Sequence, residues 1–241
     1  MGRNRLISST KLPQHLAIIM DGNGRWAQKR GLKRHDGHRQ GSKTAENIIS
    51  YCSELGIRYV TLYAFSSENW QRPKEEVDAI MILLQEYLEK ETSELKKRGI
   101  KISTIGQIDR LPDKLQNSLK KVLKDTANGS NMELILALSY GSWQEIAEAF
   151  KNVATHIKNE ILKPKDINKN TLRKYLYTKD VPDPDLFIRS GGEERLSNFL
   201  LMQLSYCELY FCPKLWPDFS RADLDEALKN FSARTRRFGC I

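Results

Sequence analysis

The chain has 241 residues, 40% hydrophobic and 29% charged, which is ordinary globular composition with enough chain for a sizeable core. Its net charge of +9 is uneven: residues 1–40 carry nine Lys or Arg against two Asp, whereas the remaining residues carry 30 basic and 28 acidic side chains. This concentration favours a local anionic ligand over a generally basic surface, although a basic patch can also bind nucleic acid.

Neither the cysteines nor the targeting signals point to an exported or membrane-spanning protein. The four cysteines form no CxxC pair and the four histidines have no zinc-binding spacing, a pattern typical of free thiols in a reducing compartment. No apolar window reaches transmembrane length, and signal-peptide and lipidation patterns are absent. We therefore expect a cytoplasmic protein without a covalent membrane anchor.

The first predicted element is a buried strand over residues 16–20, which is followed at once by the carboxylate of Asp21. An Asp-Gly-Asn-Gly turn comes next, and then a basic stretch, residues 26–39, that is predicted to be helical. Ligands of open α/β sheets bind at this end of a strand, and glycines let backbone N–H groups approach a phosphate. Asp21 could hold Mg²⁺ against that phosphate. An ordinary turn is the alternative, since the spacing fits neither a P-loop nor a GxGxxG motif.

The remaining elements alternate between apolar runs and amphipathic stretches. Further strands are predicted over residues 59–65, 100–105, 132–138, 186–188 and 208–212. Helices are predicted from after Ser42 to about Leu55, over 73–98, from Pro112 to before Gly129, over 142–157, near 172–176, over 198–206, and from Ser220 to about Arg237. Capping boxes are assigned at 142–145 and 220–223, and Ser197 is assigned as the cap of helix 198–206.

This alternation predicts a single α/β domain over residues 1–241, with a mainly parallel sheet of about six strands covered by helices. Residues 1–12 are expected to form a flexible N-terminal arm. Three strands end in polar clusters, at residues 21–25, 66–72 and 189–197, and such ends share one edge of a parallel sheet. The clusters and the basic stretch suit two phosphorylated groups, because the planar fork of arginine can donate two parallel hydrogen bonds. The arginines concerned are Arg25, Arg34, Arg39, Arg72, Arg189 and Arg195.

The helix over residues 73–98 has an unusually wide apolar face, to which Ala79, Leu83 and Tyr87 add a second side. It could be buried between two neighbours, or it could form one wall of an apolar channel. In the second case the facing wall is the strand 59–65, where Val60, Leu62 and Ala64 share one face. The helix would contribute Val77, Ile80, Met81 and Leu84.

Several ordered motifs together resemble the cis-prenyltransferase family, most closely its undecaprenyl diphosphate synthases. The resemblance runs from about residue 13 to the C-terminus. It rests on HLAIIMDGNGRW from His15, the segment 34–41, AFSSENWQR from Ala64, FIRSGGEERLSNF from Phe187, ELYF from Glu208 and LWPDF from Leu215.

This resemblance implies repeated condensation of isopentenyl diphosphate onto a farnesyl-type allylic diphosphate, giving a long cis-polyprenyl diphosphate that serves as a lipid-carrier precursor for cell-wall glycans. It implies that the allylic diphosphate binds near Gly22, Asn23, Gly24, Arg25, Arg34 and His38. Isopentenyl diphosphate would bind at Arg189, Arg195 and Ser197. Other matching substrate positions are Trp26, Ser66, Ser67, Glu68, Trp70, Arg72 and Glu76.

The resemblance also assigns the chemistry. Asp21 would manage Mg²⁺ and help diphosphate leave, Glu208 would be a second metal-linked carboxylate, and Asn69 lies where the proton is removed. Because an amide is a poor base, a diphosphate oxygen could take the proton while Asn69 only orients it. A homodimer and peripheral contact with the inner face of the membrane are further implications.

Some assignments stay open at this stage. Many family members have His or Gln where Glu194 stands, and the common Asn-Tyr-Gly-Gly-Arg is replaced by the segment that starts at Ser139. His38 and Glu76 could serve only as helix-end groups, and Trp70 could be a core anchor. Alternatives for the whole protein are a non-catalytic accessory subunit of a heteromeric prenyltransferase and a nucleic-acid-binding protein, although Asp21 and Asn69 favour an enzyme.

Overall fold

The structure is a computed structural model that describes residues 11–234. One six-stranded sheet has the order β3-β4-β2-β1-β5-β6, and all neighbouring strands are parallel, which confirms the predicted fold class. The strands are β1 His15–Ile19, β2 Tyr59–Ser66, β3 Ile100–Ile105, β4 Met132–Tyr140, β5 Leu186–Arg189 and β6 Glu208–Phe211. The α-helices are α1 Asn23–Gln28, α2 Arg34–Leu55, α3 Lys74–Lys97, α4 Asp113–Thr126, α5 Ser142–Lys158, α6 Lys169–Arg173 and α7 Arg221–Ser232.

The sheet separates two cores, because side chains alternate between its faces with a period of two. Leu16 and Ile18 of β1 pack with apolar residues of α2, α3, α4 and α7, whereas Ala17 and Ile19 face the other side. That second side is covered by residues 176–206, which contribute Phe199 to the core. All five residues of β1 are buried, as expected of a central strand that is covered on both faces.

The predicted helix over residues 26–39 is wrong, and so is the predicted start of the next helix after Ser42. α1 ends at Gln28, Gly31 adopts a left-handed conformation with φ 66°, and α2 begins at Arg34. Asp36 causes the new start, since its carboxylate accepts the backbone N–H of Lys33 at 3.2 Å and caps the helix. Gly41 lies inside α2, and glycine is needed at this position because a Cβ there would overlap Asn23 Oδ1.

The capping box at 142–145 and the helix over 198–206 are also wrong. Gly141 is the N-cap of α5, and Glu145 instead accepts hydrogen bonds from the Tyr140 hydroxyl at 2.6 Å and from Gln203 at 3.0 Å. Residues 198–206 form turns whose backbone is held by α5, since Ser142 Oγ accepts the N–H of Leu201 at 3.1 Å. Tertiary hydrogen bonds thus replace the local ones that the pattern predicted.

The capping box at Ser220 is confirmed, with Asp223 accepting from the Ser220 N–H at 2.9 Å. The other predicted helices and strands occur with small shifts of their ends. The expected arm of residues 1–12 falls mainly on residues 1–10, which lie outside the described part of the chain, as do Arg236 and Arg237 at the expected end of α7. Lys11 and Leu12 precede β1 without regular structure.

Candidate active site

A cleft of about 550 Å³ opens at the carboxyl edge of the sheet, where β1, β2 and β5 end side by side. The three polar clusters meet there because neighbouring parallel strands end on the same edge. Predicted site residues that line the cleft are Asp21, Asn23, His38, Ser66, Glu68, Asn69, Arg72, Arg189 and Ser197.

Asp21 and Arg189 form the centre of the cleft. Arg189 Nη2 donates to Asp21 Oδ2 at 2.9 Å, and Arg25 Nη2 lies 3.2 Å from Asp21 Oδ1. Arg189 Nη1 donates to Ser197 Oγ at 2.7 Å and to the carbonyl oxygen of Arg195. The Arg189 residue is only 4% exposed, and its Nε has no protein partner within residues 11–234. A buried cationic donor without an acceptor favours an anionic ligand.

The turn after β1 requires glycine at one position and makes use of it at another. Gly22 has φ 108°, and a Cβ there would come within 2.8 Å of Leu215 Cδ2. A Cβ on Gly24 would come within 2.9 Å of Arg34 Nη2, so glycine leaves room for that guanidinium beside the turn. The Asp21 carbonyl oxygen accepts the N–H of Trp216 at 2.9 Å, which fixes the turn to the segment after β6.

Glu76, in the first turn of α3, contacts three basic side chains at the rim of the cleft. Its carboxylate lies 3.2 Å from Arg34 Nε and 2.9 Å from Arg72 Nη1, and it accepts from His38 Nε2–H at 3.4 Å. Burial acts to raise the pKa of Glu76, but Arg72, Arg34 and His38 outweigh it and hold that pKa below its ordinary value. Burial lowers the pKa of His38 despite the opposing effect of Glu76. Glu76 therefore stays ionised and orients three side chains.

The loop after β2 holds Asn69 in a fixed orientation. Asn69 Oδ1 accepts the backbone N–H of Ser66 at 3.1 Å, which identifies that side-chain atom as the oxygen. The amide nitrogen of Asn69 is then the atom left to donate to a ligand. This geometry suits orientation of a substrate and not removal of a proton.

Two polar residues that sequence reasoning did not assign also belong to this site. Glu193 lies between Arg25 and Arg195, with 3.4 Å to Arg25 Nη1 and 2.5 Å to Arg195 Nη1. Asn198 lines the cleft and donates to Glu68 Oε1 at 2.7 Å. Asn198 was missed because the surrounding segment was predicted to be helical. One sequence feature could have identified Asn198, because asparagine is among the residues that best tolerate the left-handed conformation. Asn198 adopts that conformation here, with φ 62°.

Three predicted site residues are directed elsewhere. Glu208 begins β6 and pairs with Leu186, at the edge opposite to Asp21, and its carboxylate contacts Arg234 Nη1 at 2.7 Å. Within one chain Glu208 and Asp21 therefore do not share a metal site. Trp70 donates to Ser139 Oγ at 2.9 Å and packs on Phe65, while Trp26 donates to Asp218 at 2.7 Å. Ser67, also predicted here, has a buried hydroxyl oxygen with no protein partner in the described chain.

An apolar chamber of about 110 Å³ adjoins the cleft between the sheet and helices α2 and α3. The two spaces share Met20, Asn23, His38, Ala64 and Ile80. Of the predicted walls, Leu62, Ala64, Ile80 and Leu84 line the chamber, whereas Val60, Val77 and Met81 are buried in the core. Tyr87 and Leu83 complete the helical side. An anion-binding cleft that opens into an apolar chamber suits a ligand with a charged head and a hydrocarbon tail.

A metal that arrives with phosphate groups fits this donor set. No group of three or more His, Cys, Asp or Glu side chains within residues 11–234 could hold an ion alone. Mg²⁺ needs only one or two protein carboxylates when substrate phosphates supply further oxygens. Asp21 is such a carboxylate, in the cleft beside Arg25 and Arg189.

The fold and the site together define an α/β protein whose cleft suits a ligand with an anionic head and an apolar tail, and comparison with known proteins gives its family. Residues 19–239 match the family model described as putative undecaprenyl diphosphate synthase, and the chain belongs to that prenyltransferase family. An isoprenyl transferase of Clostridium perfringens (strain 13 / Type A) is 47% identical over 231 residues, which cover 96% of this chain and 91% of that protein.

Two solved structures share the fold. Lavandulyl diphosphate synthase from Lavandula x intermedia, in complex with dimethylallyl diphosphate, has a TM-score of 0.92 and 41% identity, covering 95% of this chain and 98% of that one. A probable undecaprenyl diphosphate synthase from Campylobacter jejuni has a TM-score of 0.78 and 36% identity, covering 95% and 99%. Relatives of such different names show that family membership alone does not determine the product.

Proposed function

We propose that this prenyltransferase condenses isopentenyl diphosphate repeatedly onto a farnesyl-type allylic diphosphate. The product is a long-chain cis-polyprenyl diphosphate of the undecaprenyl type, a lipid-carrier precursor for cell-wall glycans. One observation carries the proposal: arginines flank Asp21 in a cleft that continues directly into an apolar chamber. Such a site can hold two diphosphates and one growing tail.

The two diphosphates occupy different sides of Asp21. The allylic diphosphate lies at the glycine turn, with Arg25, Arg34 and His38, because this side adjoins the chamber that receives its tail. The lavandulyl relative, solved with dimethylallyl diphosphate, supports binding of an allylic diphosphate by this fold. Isopentenyl diphosphate lies at Arg189, Arg195 and Ser197, where the unpartnered Arg189 Nε can donate to an oxygen of its diphosphate.

The residues then divide the chemistry. Asp21 would hold Mg²⁺ when the ion arrives with a substrate diphosphate, and the ion would supply charge neutralisation. Arg25 and Arg34 stabilise the negative charge that develops on the departing diphosphate. Asn69 donates from its amide nitrogen to a diphosphate oxygen and so orients isopentenyl diphosphate. Because an amide is a poor base, the proton released from the isopentenyl carbon goes to a diphosphate oxygen. Trp26, Trp70 and Glu76 act by holding α1, the β2 loop and the arginines in place.

The test is to incubate the purified protein with farnesyl diphosphate, labelled isopentenyl diphosphate and Mg²⁺, with a chelator-treated control, and to size the products. A product of 11 isoprene units confirms the proposed repeated condensation and the proposed chain length. A shorter cis product retains the activity and corrects the chain length. An absence of any condensation, together with steeply salt-dependent binding to DNA or RNA, would favour the nucleic-acid alternative. Activity that appears only after a second family member is added would favour the accessory-subunit alternative.

We further infer a homodimer that contacts the inner face of the membrane peripherally. Exposed apolar side chains on α5 and on the 198–206 segment support self-association, namely Trp143, Phe150, Met202 and Tyr206. The structure contains no helix within residues 11–234 that is long and apolar enough to cross a bilayer. Light scattering measures the oligomeric state, and a monomer at micromolar concentration would contradict the dimer.

A further inference from the structure

We propose that Asn198 is a positioning residue that fastens the isopentenyl-binding loop to the loop after β2. The proposal rests on the proposed function, since it concerns the relative placement of the two substrates in that site. Asn198 directly follows Ser197, the residue that accepts from Arg189. Its own side chain reaches across the cleft, with Nδ2 donating to Glu68 Oε1 at 2.7 Å.

Asn198 is fixed by α5 as well as by Glu68. Its Oδ1 accepts the backbone N–H of Trp143 at 3.0 Å, and its carbonyl oxygen accepts the N–H of Ser142 at 2.8 Å. These two N–H groups belong to the first turn of α5, where no intrahelical acceptor exists. Nδ2 also donates to Gln144 Oε1 at 3.1 Å. One side chain therefore joins a rigid helix end to two loops that line the cleft.

The backbone around Asn198 shows why such a fastening is needed. Ser197, Asn198 and Leu200 all have positive φ, at 47°, 62° and 48°. This region is unfavourable for serine and leucine, and it persists only where surrounding contacts hold it. Ser197 must nevertheless stay in place, because its hydroxyl accepts from the buried guanidinium of Arg189. The contacts of Asn198 supply that restraint.

Asn198→Asp tests the proposal with a minimal change. Oδ1 remains to cap Trp143, while the donor that faces Glu68 and Gln144 becomes a carboxylate oxygen. Two like charges then meet where a 2.7 Å hydrogen bond stood, so the isopentenyl loop shifts. We expect the KM for isopentenyl diphosphate to rise about tenfold. The KM for the allylic diphosphate should change less than about twofold, because no contact of Asn198 reaches Arg34 or His38.

A rescue variant separates positioning from a general structural defect. In Asn198→Asp with Glu68→Gln, the new amide donates to the new carboxylate, and the hydrogen bond returns with reversed polarity. We expect the KM of the double variant for isopentenyl diphosphate to fall close to the KM of Glu68→Gln alone. Asn152→Asp, which adds the same charge on the exposed face of α5, is the matched control and should leave both KM values unchanged.

The outcomes are distinct. The proposal would be overturned if Asn198→Asp and Glu68→Gln had additive effects on the KM for isopentenyl diphosphate. It would also be overturned if a folded Asn198→Asp protein kept the wild-type KM for that substrate. If Asn198→Asp fails to fold, Asn198→Gly replaces it, since glycine accepts the left-handed backbone without strain and lacks both side-chain bonds; a normal isopentenyl KM in that variant would also overturn the proposal. A wild-type protein that condenses nothing would instead refute the proposed function.

Discussion

At the scale of single residues, the proposed chemistry depends most strongly on the carboxylate of Asp21. Asp21→Asn keeps an oxygen that can accept from Arg189 but removes the charge that would bind Mg²⁺. We expect the turnover number to fall roughly a hundredfold or more, which corresponds to about 3 kcal/mol of transition-state stabilisation. Product formation in single-turnover mixtures measures this loss. A folded variant with near-wild-type turnover, checked by its melting temperature, would remove Asp21 from the mechanism.

Arg195 and Arg34 test the assignment of two separate diphosphate positions. Arg195 is exposed and contacts Glu193 on the Ser197 side, whereas Arg34 contacts Glu76 on the α3 side. Arg195→Ala should raise the KM for isopentenyl diphosphate, and Arg34→Ala should raise the KM for the allylic diphosphate. Each arginine that donates to a phosphate contributes roughly 1.5–3 kcal/mol, so a change of about tenfold or more is expected. The same loss for both substrates in both variants would contradict two positions.

The residue scale also shows what the sequence can and cannot predict. Asp21, Arg189 and Ser197 could be foreseen as neighbours because strand ends meet at one edge of a parallel sheet. The role of Asn198 could not, since its partners Glu68 and Trp143 lie 130 and 55 residues away in the chain. The place of Glu208 was predictable: the predicted strand over residues 208–212 already puts Glu208 at the amino end of the sheet, opposite to Asp21, and only the resemblance made it a metal ligand.

At the scale of elements, β2 and α3 form two walls of the chamber, and α2 forms a third. Ala64 is small and lines both cleft and chamber, facing Ile80 and Leu84 of α3. Ala64→Leu adds three carbons at the entrance to the chamber and should obstruct a close-packed passage. We expect shorter products with the first condensation retained. Thin-layer or mass-spectrometric sizing of the products measures the change.

A matched control distinguishes obstruction from simple destabilisation. Ala79 lies on α3, is also partly buried and does not line the chamber. Ala79→Leu should leave the product distribution unchanged. Overpacking typically costs 1–3 kcal/mol of folding free energy, so melting curves accompany both variants. A destabilised Ala64→Leu protein with wild-type products would remove Ala64 from the chamber wall.

Helices were predictable where periodicity and local capping signals agree, as in α3 and in the capping box of Ser220 and Asp223. Helices were not predictable where side chains hydrogen-bond to residues far away in the chain instead of to the local backbone. Ser142 and Glu145 have the spacing of a capping box, but their side chains bind Leu201, Tyr140 and Gln203 instead. Likewise the apolar pattern of 198–206 suits a helix, yet the segment forms turns that bury Phe199, Leu200 and Leu204 against the sheet.

At the scale of the whole molecule, His15 makes folding sensitive to acid. His15 is 1% exposed, donates from Nδ1 to the Pro182 carbonyl at 2.6 Å and accepts from the Thr61 hydroxyl at 2.7 Å. Burial lowers the pKa of His15 from 6.5 to about 4. The unfolded chain therefore binds this proton more tightly than the folded one.

The pH dependence follows from that difference. The contribution of His15 is fully present above pH 6.5 and is lost progressively as the pH falls towards 4. It amounts to about 3 kcal/mol of unfolding free energy. Urea unfolding at pH 7.5 and pH 5 measures this contribution. Between these two pH values the free energy of unfolding should decrease less in His15→Gln than in the wild type. His35 is partly exposed, so His35→Gln is the control. An equal pH dependence of the unfolding free energy in all three proteins would contradict the assignment to His15.

The place of β1 in the sheet has a consequence for synthesis of the protein. β1 pairs on one side with β2, which soon follows it, but on the other with β5, and the Asp21–Arg189 contact spans 168 residues. At roughly 5–20 residues per second, a nascent chain carries β1 with one unpaired edge for on the order of ten seconds or more. The cleft cannot exist until β5 leaves the ribosome, so chains arrested before residue 186 should retain no diphosphate on a filter. Substrate capture thus marks a nascent chain that has been extended past β5.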